Sequence, residues 1–274
     1  MLSLLRRVGL ARLLRLGLTL AIPPLWYEIA VLHYRGSFQN RFMWIPVLSL
    51  PAVMASGVAS ALKREERRAR DIFRPFAWWM AIVGTVGSLF HLRGIARQMG
   101  GFYNWKYNVV TGPPILAPAQ VALFGLLSVA ASRRVSNNLP GSKHSDEVSL
   151  VHTARWINAL SYLLIGIEAG YNHWTGNFFN RLMYTPLLVN PVVALVHFAA
   201  LWRSRLAQTL ELPLSALSTL VGLVGFSFHI GNLLGRPGRL SWQNLFYGPP
   251  IMVPLQITGQ GLMGVLIALF SKKP

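Results

Sequence analysis

The sequence contains no cysteine. Disulfides, thiolate metal sites, cysteine-ligated iron–sulfur clusters and haem attached through a CxxCH motif are therefore all excluded. Acidic residues are almost as scarce, eight in 274 against 26 lysines and arginines. Charged residues make up 12% of the chain, whereas soluble domains carry roughly 25%. So few charges could not cover the surface of a soluble fold of this length. No HExxH, GxSxG, P-loop or dinucleotide fingerprint occurs, so the common protease, hydrolase and nucleotide-binding signatures are missing as well.

What the chain has in quantity is apolar sequence, 53% of all residues. It falls into runs close to the ~20 residues that cross a bilayer as a helix. Eight such spans can be placed, at 16–33, 43–62, 75–92, 113–132, 155–172, 182–202, 212–230 and 249–270. The reading is an all-α integral membrane protein of about eight transmembrane helices, with the lipid bilayer as its first partner.

A net charge of +18 would by itself point to nucleic acid. Its distribution points elsewhere. The basic residues gather at Arg6–Arg15, Lys63–Arg74, Arg133–Arg155, Arg203–Arg205 and Lys272–Lys273, between or beyond the apolar runs. If the connections alternate sides, 18 of the 26 fall on the side of the N-terminus. That is the positive-inside bias of a multispanning protein, and it places both termini in the cytoplasm. No nucleic-acid partner is expected, and a bacterial inner membrane is the default location. Residues 1–15 read as a cytoplasmic amphipathic lead-in, since no small-residue cleavage site follows the first apolar run.

The chain also repeats itself. Residues 28–51 align without a gap on 168–191, with 10 of 24 positions identical. Residues 83–91 match 221–229 at six of nine positions, and 108–120 match 244–256 at seven of thirteen. The three matches keep the same order, which marks an internal duplication. Expected boundaries are a first four-helix repeat at 16–132, a cytoplasmic linker at 133–154, a second four-helix repeat at 155–270 and a tail at 271–274. An even number of spans per repeat gives both the same membrane orientation, so the copies relate by a pseudo-twofold along the membrane normal. The helix count is similar to that of membrane anchors of the polysulfide-reductase type, which exchange electrons with quinone. That similarity carries no residue across.

The chemistry-bearing residues sit in the matched blocks, near the outer ends of the spans. Glu28 and Glu168 are the two acids inside the expected spans, and four of the seven histidines form the pairs His33/His173 and His91/His229. An ionisable group in the membrane is costly and usually faces a partner or a wet cavity. Imidazole is the commonest metal ligand and can carry a proton near neutral pH. One glutamate and two histidines per repeat therefore point to a haem, a divalent metal or a quinone site. His33, His91, His173 and His229 are the metal-ligand candidates, and Glu28 and Glu168 complete each set. The bland alternative is that these groups tie the outer loops together. Glu28 and His33 are five residues apart, about 140° around an ideal helix, so they converge only if the helix ends before His33.

Asn40, Arg41, Asn108 and their counterparts Asn180, Arg181 and Asn244 read as loop anchors or contacts for an anionic group. Trp26, Tyr34, Trp44, Trp105, Trp174, Tyr184 and Trp242 form an interfacial belt. Gly112-Pro113-Pro114 is expected to open the fourth span, with Pro118 kinking it. Gly84, Gly87, Gly222 and Gly225 allow close helix contact. His197 aligns with Gly57 and reads as a lone packing residue, and no span carries the polar string of a conducting path. The preferred function is an extracytoplasmic-facing redox membrane subunit, partnered by an extracytoplasmic oxidoreductase or other membrane subunits. The alternatives are a transporter or channel with its site between the repeats, and a non-catalytic structural subunit.

Overall fold

The computed structural model describes residues 5, 8–63, 65–114, 116–133, 142–202 and 204–271. Parts of the lead-in, the linker and the tail lie outside them. Among the described residues every regular element is helical. The long helices are α1 (Leu10–Arg35), α2 (Trp44–Ala61) and α3 (Glu66–Ala96). The short α4 (Trp105–Thr111) and the longer α5 (Leu116–Ala131) and α6 (Ser142–Thr175) follow. Then come α7 (Thr185–Leu201), α8 (Arg205–Leu234), the short α9 (Trp242–Tyr247) and α10 (Val253–Ser271).

Six of these stretches are long and apolar enough to cross a membrane: Leu10–Arg35, Arg41–Ala61, Glu66–Ala96, Arg181–Leu201, Arg205–Leu234 and Val253–Ser271. Helix is what such sequence must form in lipid, where each backbone amide has to find its partner within the segment. The outward surface has the matching character. Leu20, Leu48, Leu62, Leu188, Leu195 and Leu206 are all exposed. An apolar coat of this kind suits hydrocarbon, whereas water would penalise it.

The eight apolar runs fall on eight separate long helices, but the helices overrun them. α1 continues to Arg35, α3 begins at Glu66, α6 at Ser142 and α8 at Arg205. The part of the expected linker from 142 to 154 is thus already helix. Gly112–Pro114 opens no helix. It stays non-helical after α4, and α5 starts only at Leu116. Pro118 consequently lies in the first turn of α5, where its missing N–H removes no helical bond, so no kink is needed.

Each half is a ring of four helices. α1 packs on α2, α2 on α3, α3 on α5, and α5 returns to α1. In the second half α6, α7, α8 and α10 close the same way. Glycines set the tightest contacts. A Cβ at Gly84 would overlap the backbone at Ala122, and one at Gly222 the backbone at Thr258. α3 and α5, like α8 and α10, therefore touch backbone to backbone. The halves meet where α1 packs on α6 and α10, and α5 on α6. Leu14, Leu18, Ile22 and Leu25, spaced three to four residues apart on α1, face this interior.

Candidate functional site

The C-terminal ends of α1 and α3 lie diagonally across the first ring. His33 comes from one and His91 from the other, with ring centroids 6.4 Å apart and planes inclined at 63°. In the second half His173 and His229 show the same 6.4 Å and 63°. Each ring is also anchored alike. His91 Nδ1 lies 2.7 Å from the Pro114 carbonyl and His229 Nδ1 2.8 Å from that of Pro250. His173 Nδ1 lies 2.7 Å from the Met183 carbonyl. His33 faces the matching Met43 carbonyl, short of full hydrogen-bond geometry. A carbonyl only accepts, so Nδ1 of the bonded rings carries the proton and Nε2 presents its lone pair. A backbone carbonyl on the far nitrogen is also the usual support of a metal-bound imidazole.

The loop after each leading histidine is strained in the same way. Ser37 and Phe38 hold φ of 54° and 47°, and Asn177 and Phe178 hold 57° and 45°. Side-chain-bearing residues rarely enter this left-handed region, at a cost of order 1–3 kcal/mol each. The strain is fastened by the Phe38 N–H on the His33 carbonyl at 3.2 Å and the Phe178 N–H on the His173 carbonyl at 3.1 Å. Phe38 then stacks on Trp44 at 3.9 Å, and Phe178 on Tyr184 at 4.3 Å.

A cavity of about 720 Å³ opens beneath the first histidine pair. Ile29, Leu32, Trp79 and Phe90 give it apolar walls, and His33 and His91 both line it. Arg35, Gln39, Asn40 and Gln98 supply the polar groups of its lining. No family model, curated protein or solved structure matches this chain. Its chemistry has to be read from these side chains alone.

Glu28 does not join the histidines. α1 runs past His33, so the two side chains diverge around the helix, and the Glu28 carboxylate accepts the Met252 N–H at 2.8 Å across the junction of the halves. Glu168 lies within electrostatic range of Glu28 at the same junction. Among the described residues no three His, Asp or Glu side chains gather as a metal set. Each half thus brings together two histidines, with its glutamate placed elsewhere.

The asparagines are anchors. Asn40 accepts the Phe42 N–H and Asn180 the Leu182 N–H, both at 3.0 Å. Asn108 donates to the carbonyls of Met99 and Gly101 rather than capping α5, and Asn244 donates to those of Pro237 and Arg239. Arg41 stands over the Phe42 ring at 5.6 Å, and Arg181 is exposed.

A second group of residues was not legible as a unit in the sequence. Arg155 on α6 makes two bonds of 2.7 Å to the Glu211 carboxylate on α8. His197 Nδ1 on α7 lies 3.0 Å from Glu211 Oε1, and its Nε2 lies 3.3 Å from Asn158 Nδ2. His197 and Glu211 are fully buried, and the Tyr162 ring stacks on the imidazole at 5.9 Å. His197 is therefore the centre of a network rather than a lone packing residue. The expected span at 212–230 stopped one residue short of Glu211, and Arg155 stood at the very start of another. Both read as flanking charge.

Proposed function

We propose that this chain is an electron-carrying membrane subunit in which each outer histidine pair would hold a non-covalently bound haem that supplies one-electron redox chemistry. The observation that carries the reading is the repeated pair of imidazoles at 6.4 Å. Two imidazoles this close, with Nε2 lone pairs left free by the carbonyl contacts at Nδ1, could both serve one metal ion. A bare divalent ion would need further protein ligands. Haem brings its own equatorial nitrogens and needs only two. The first-half cavity offers apolar walls for a macrocycle and Arg35 for its carboxylates.

The proposal includes eight membrane-spanning helices in two tandem four-helix units of the same orientation. The matched sequence blocks, the identical helix order of the two rings and the recurrent histidine geometry support it. α6 is not among the six most clearly apolar stretches, and Arg155 and Asn158 lie along it. Both are buried against protein rather than lipid. On the positive-inside distribution the histidine ends face away from the cytoplasm, toward an extracytoplasmic oxidoreductase as electron partner. A cysteine at Tyr103 should then be labelled only from outside, and one at Arg67 only from inside. Reversed or same-side labelling rejects the orientation.

A second reading rests on the cavity alone. An apolar chamber with a lone-paired Nε2 on His91 also suits a quinone head group, since that nitrogen would accept a hydrogen bond from the quinol hydroxyl and could take its proton when the quinol is oxidised. The deciding experiment is the absorption spectrum of the purified protein, with organic extraction alongside. A Soret band, lost by about half in His91→Ala and by about half in His229→Ala, supports haem. A colourless protein with copurified quinone that is lost in His91→Ala supports the second reading. Neither cofactor in freshly purified protein rejects both.

A further inference from the structure

The second half carries polar groups where the first half is apolar, and they form one surface. On α6, Arg155, Asn158 and Tyr162 follow at three- and four-residue steps, and on α8 Glu211, Ser215 and Ser218 do the same. α7 adds Asn190 and His197, seven apart, and α10 adds Gln260 one turn from Gly264. Such spacings put the residues of each helix on one face. The four faces converge. Asn158 Nδ2 reaches the Gln260 carbonyl at 3.3 Å, a Cβ at Gly264 would lie 2.9 Å from His197 Nε2, and Tyr162 Oη neighbours Ser218.

Several of these groups have no protein partner. Both amide atoms of Asn190, both of Gln260, and the hydroxyls of Ser161 and Ser215 are buried with no hydrogen bond among the described residues. Asn190 and Ser215 are 0% exposed, and Ser161 and Gln260 1%. A polar atom left bare in the interior costs about 1–3 kcal/mol, and the usual remedy is internal water. Six such atoms on four facing helices would be an expensive way to fill space that Leu, Phe and Ala fill in the other half.

We propose that the interior of the second half is a hydrated proton-transfer site. Water bridges Asn190, Ser215 and Gln260, and His197 binds and releases the proton. The imidazole is set up for this. Its Nδ1–H donates to Glu211, which fixes the tautomer and leaves Nε2 as the acceptor. A proton delivered by hydronium forms the Nε2–H bond and leaves water behind. Asn158 then turns its amide oxygen to receive that bond. Arg155 and Glu211 cancel before the transfer, so the cluster passes from neutral to +1, with the imidazolium beside the carboxylate. The ionisable groups facing His197 among the described residues are Arg155, Glu211 and Tyr162.

This site does not depend on haem or quinone at the outer face. The test is proton exchange at the His197 ring in the full-length protein. The chain, labelled with ¹⁵N-histidine and held in lipid nanodiscs, is transferred into D₂O. Its seven histidines give few enough signals to assign. His197 is identified by its loss in His197→Phe or, should that variant not fold, by its shift in Glu211→Gln. The Nδ1–H is expected to exchange within minutes at neutral pH. The double variant Asn190→Leu/Gln260→Phe, which keeps the ion pair, is expected to slow exchange by roughly ten-fold or more. Protection lasting days in the wild type overturns the proposal, and so does exchange that the double variant leaves unchanged.

Discussion

At the offsets that bring the two halves into register, Leu18, Ile22, Leu50, Phe73, Met80 and Phe124 stand opposite Asn158, Tyr162, Asn190, Glu211, Ser218 and Gln260. All twelve are buried. The first set is a hydrocarbon core, and the second is a polar interior that holds one end of an ion pair and several side chains with no hydrogen bond among the described residues. The histidine ends behave in the opposite way, since the histidines, strained loops and asparagine anchors there are the same in both halves. A shared requirement therefore acts on the histidine face, and a separate one acts on the middle of the second half. Burying polar groups in a membrane is costly, so chance replacement of apolar packing is a poor account of a cluster this size.

Arg15 and Arg155 make the contrast sharpest. Both are buried and both pair with a glutamate. Arg15 reaches Glu66, which is 42% exposed at the start of α3, and donates to the Ala131 carbonyl. Arg155 reaches Glu211, which water does not touch. The largest expected effect is therefore Glu211→Ala, which leaves Arg155 as an uncompensated buried charge and should cost about 3–5 kcal/mol. Glu66→Ala should cost less, about 1.5–3 kcal/mol, because Arg15, though buried, keeps the Ala131 carbonyl and water can take the place of the partly exposed carboxylate. Unfolding in mixed micelles measures both, and equal losses would break the comparison.

The core positions can be exchanged one at a time. Leu50→Asn puts an amide into an apolar setting and should destabilise by about 2–3 kcal/mol through partnerless burial. Asn190→Leu should cost little or even stabilise, since it removes two unsatisfied atoms from the corresponding place. Should Asn190→Leu be as damaging as Leu50→Asn, the amide has protein partners and the interior is not hydrated.

Smaller and symmetric effects are expected where the halves agree. Asn40→Ala and Asn180→Ala each remove one bond to a backbone N–H at the loop and should each cost about 1 kcal/mol. A marked inequality between the two would mean that one loop has a duty the other lacks.

The parts of this fold that the sequence reveals are those set by local pattern. Eight apolar runs map onto eight helices, and the Gly84 and Gly222 contacts follow from small residues in matched blocks. The approach of His33 to His91 was readable because the matched sequence blocks present the same two imidazoles twice. Three-dimensional partnerships were harder to read. Glu28 was expected beside His33 on the strength of depth alone, yet depth fixes only one coordinate, and the turn of α1 sends the carboxylate to Met252. Arg155 and Glu211 are 56 residues apart and sit at the margins of apolar runs. Hydropathy treats each as a charge near water, because the neutralising partner lies on another helix. Asn158, Tyr162 and Ser215 were hidden for the same reason, as single polar residues diluted among leucines.

The bond from Glu28 to the Met252 N–H also has a consequence for biogenesis. Glu28 lies on α1, and Met252 stands 224 residues later, just before α10. Throughout the synthesis of the intervening chain the glutamate has no access to this partner. It must wait in the translocon or at the membrane surface, protonated or in contact with water, until α10 arrives. The ring of the first half can close earlier, because α1, α2, α3 and α5 are contiguous. Its seam with the second half cannot. Insertion of α10 is then the step that seals the junction, and a chain stalled before residue 252 would keep a polar side chain facing lipid, a mark that membrane quality control can read.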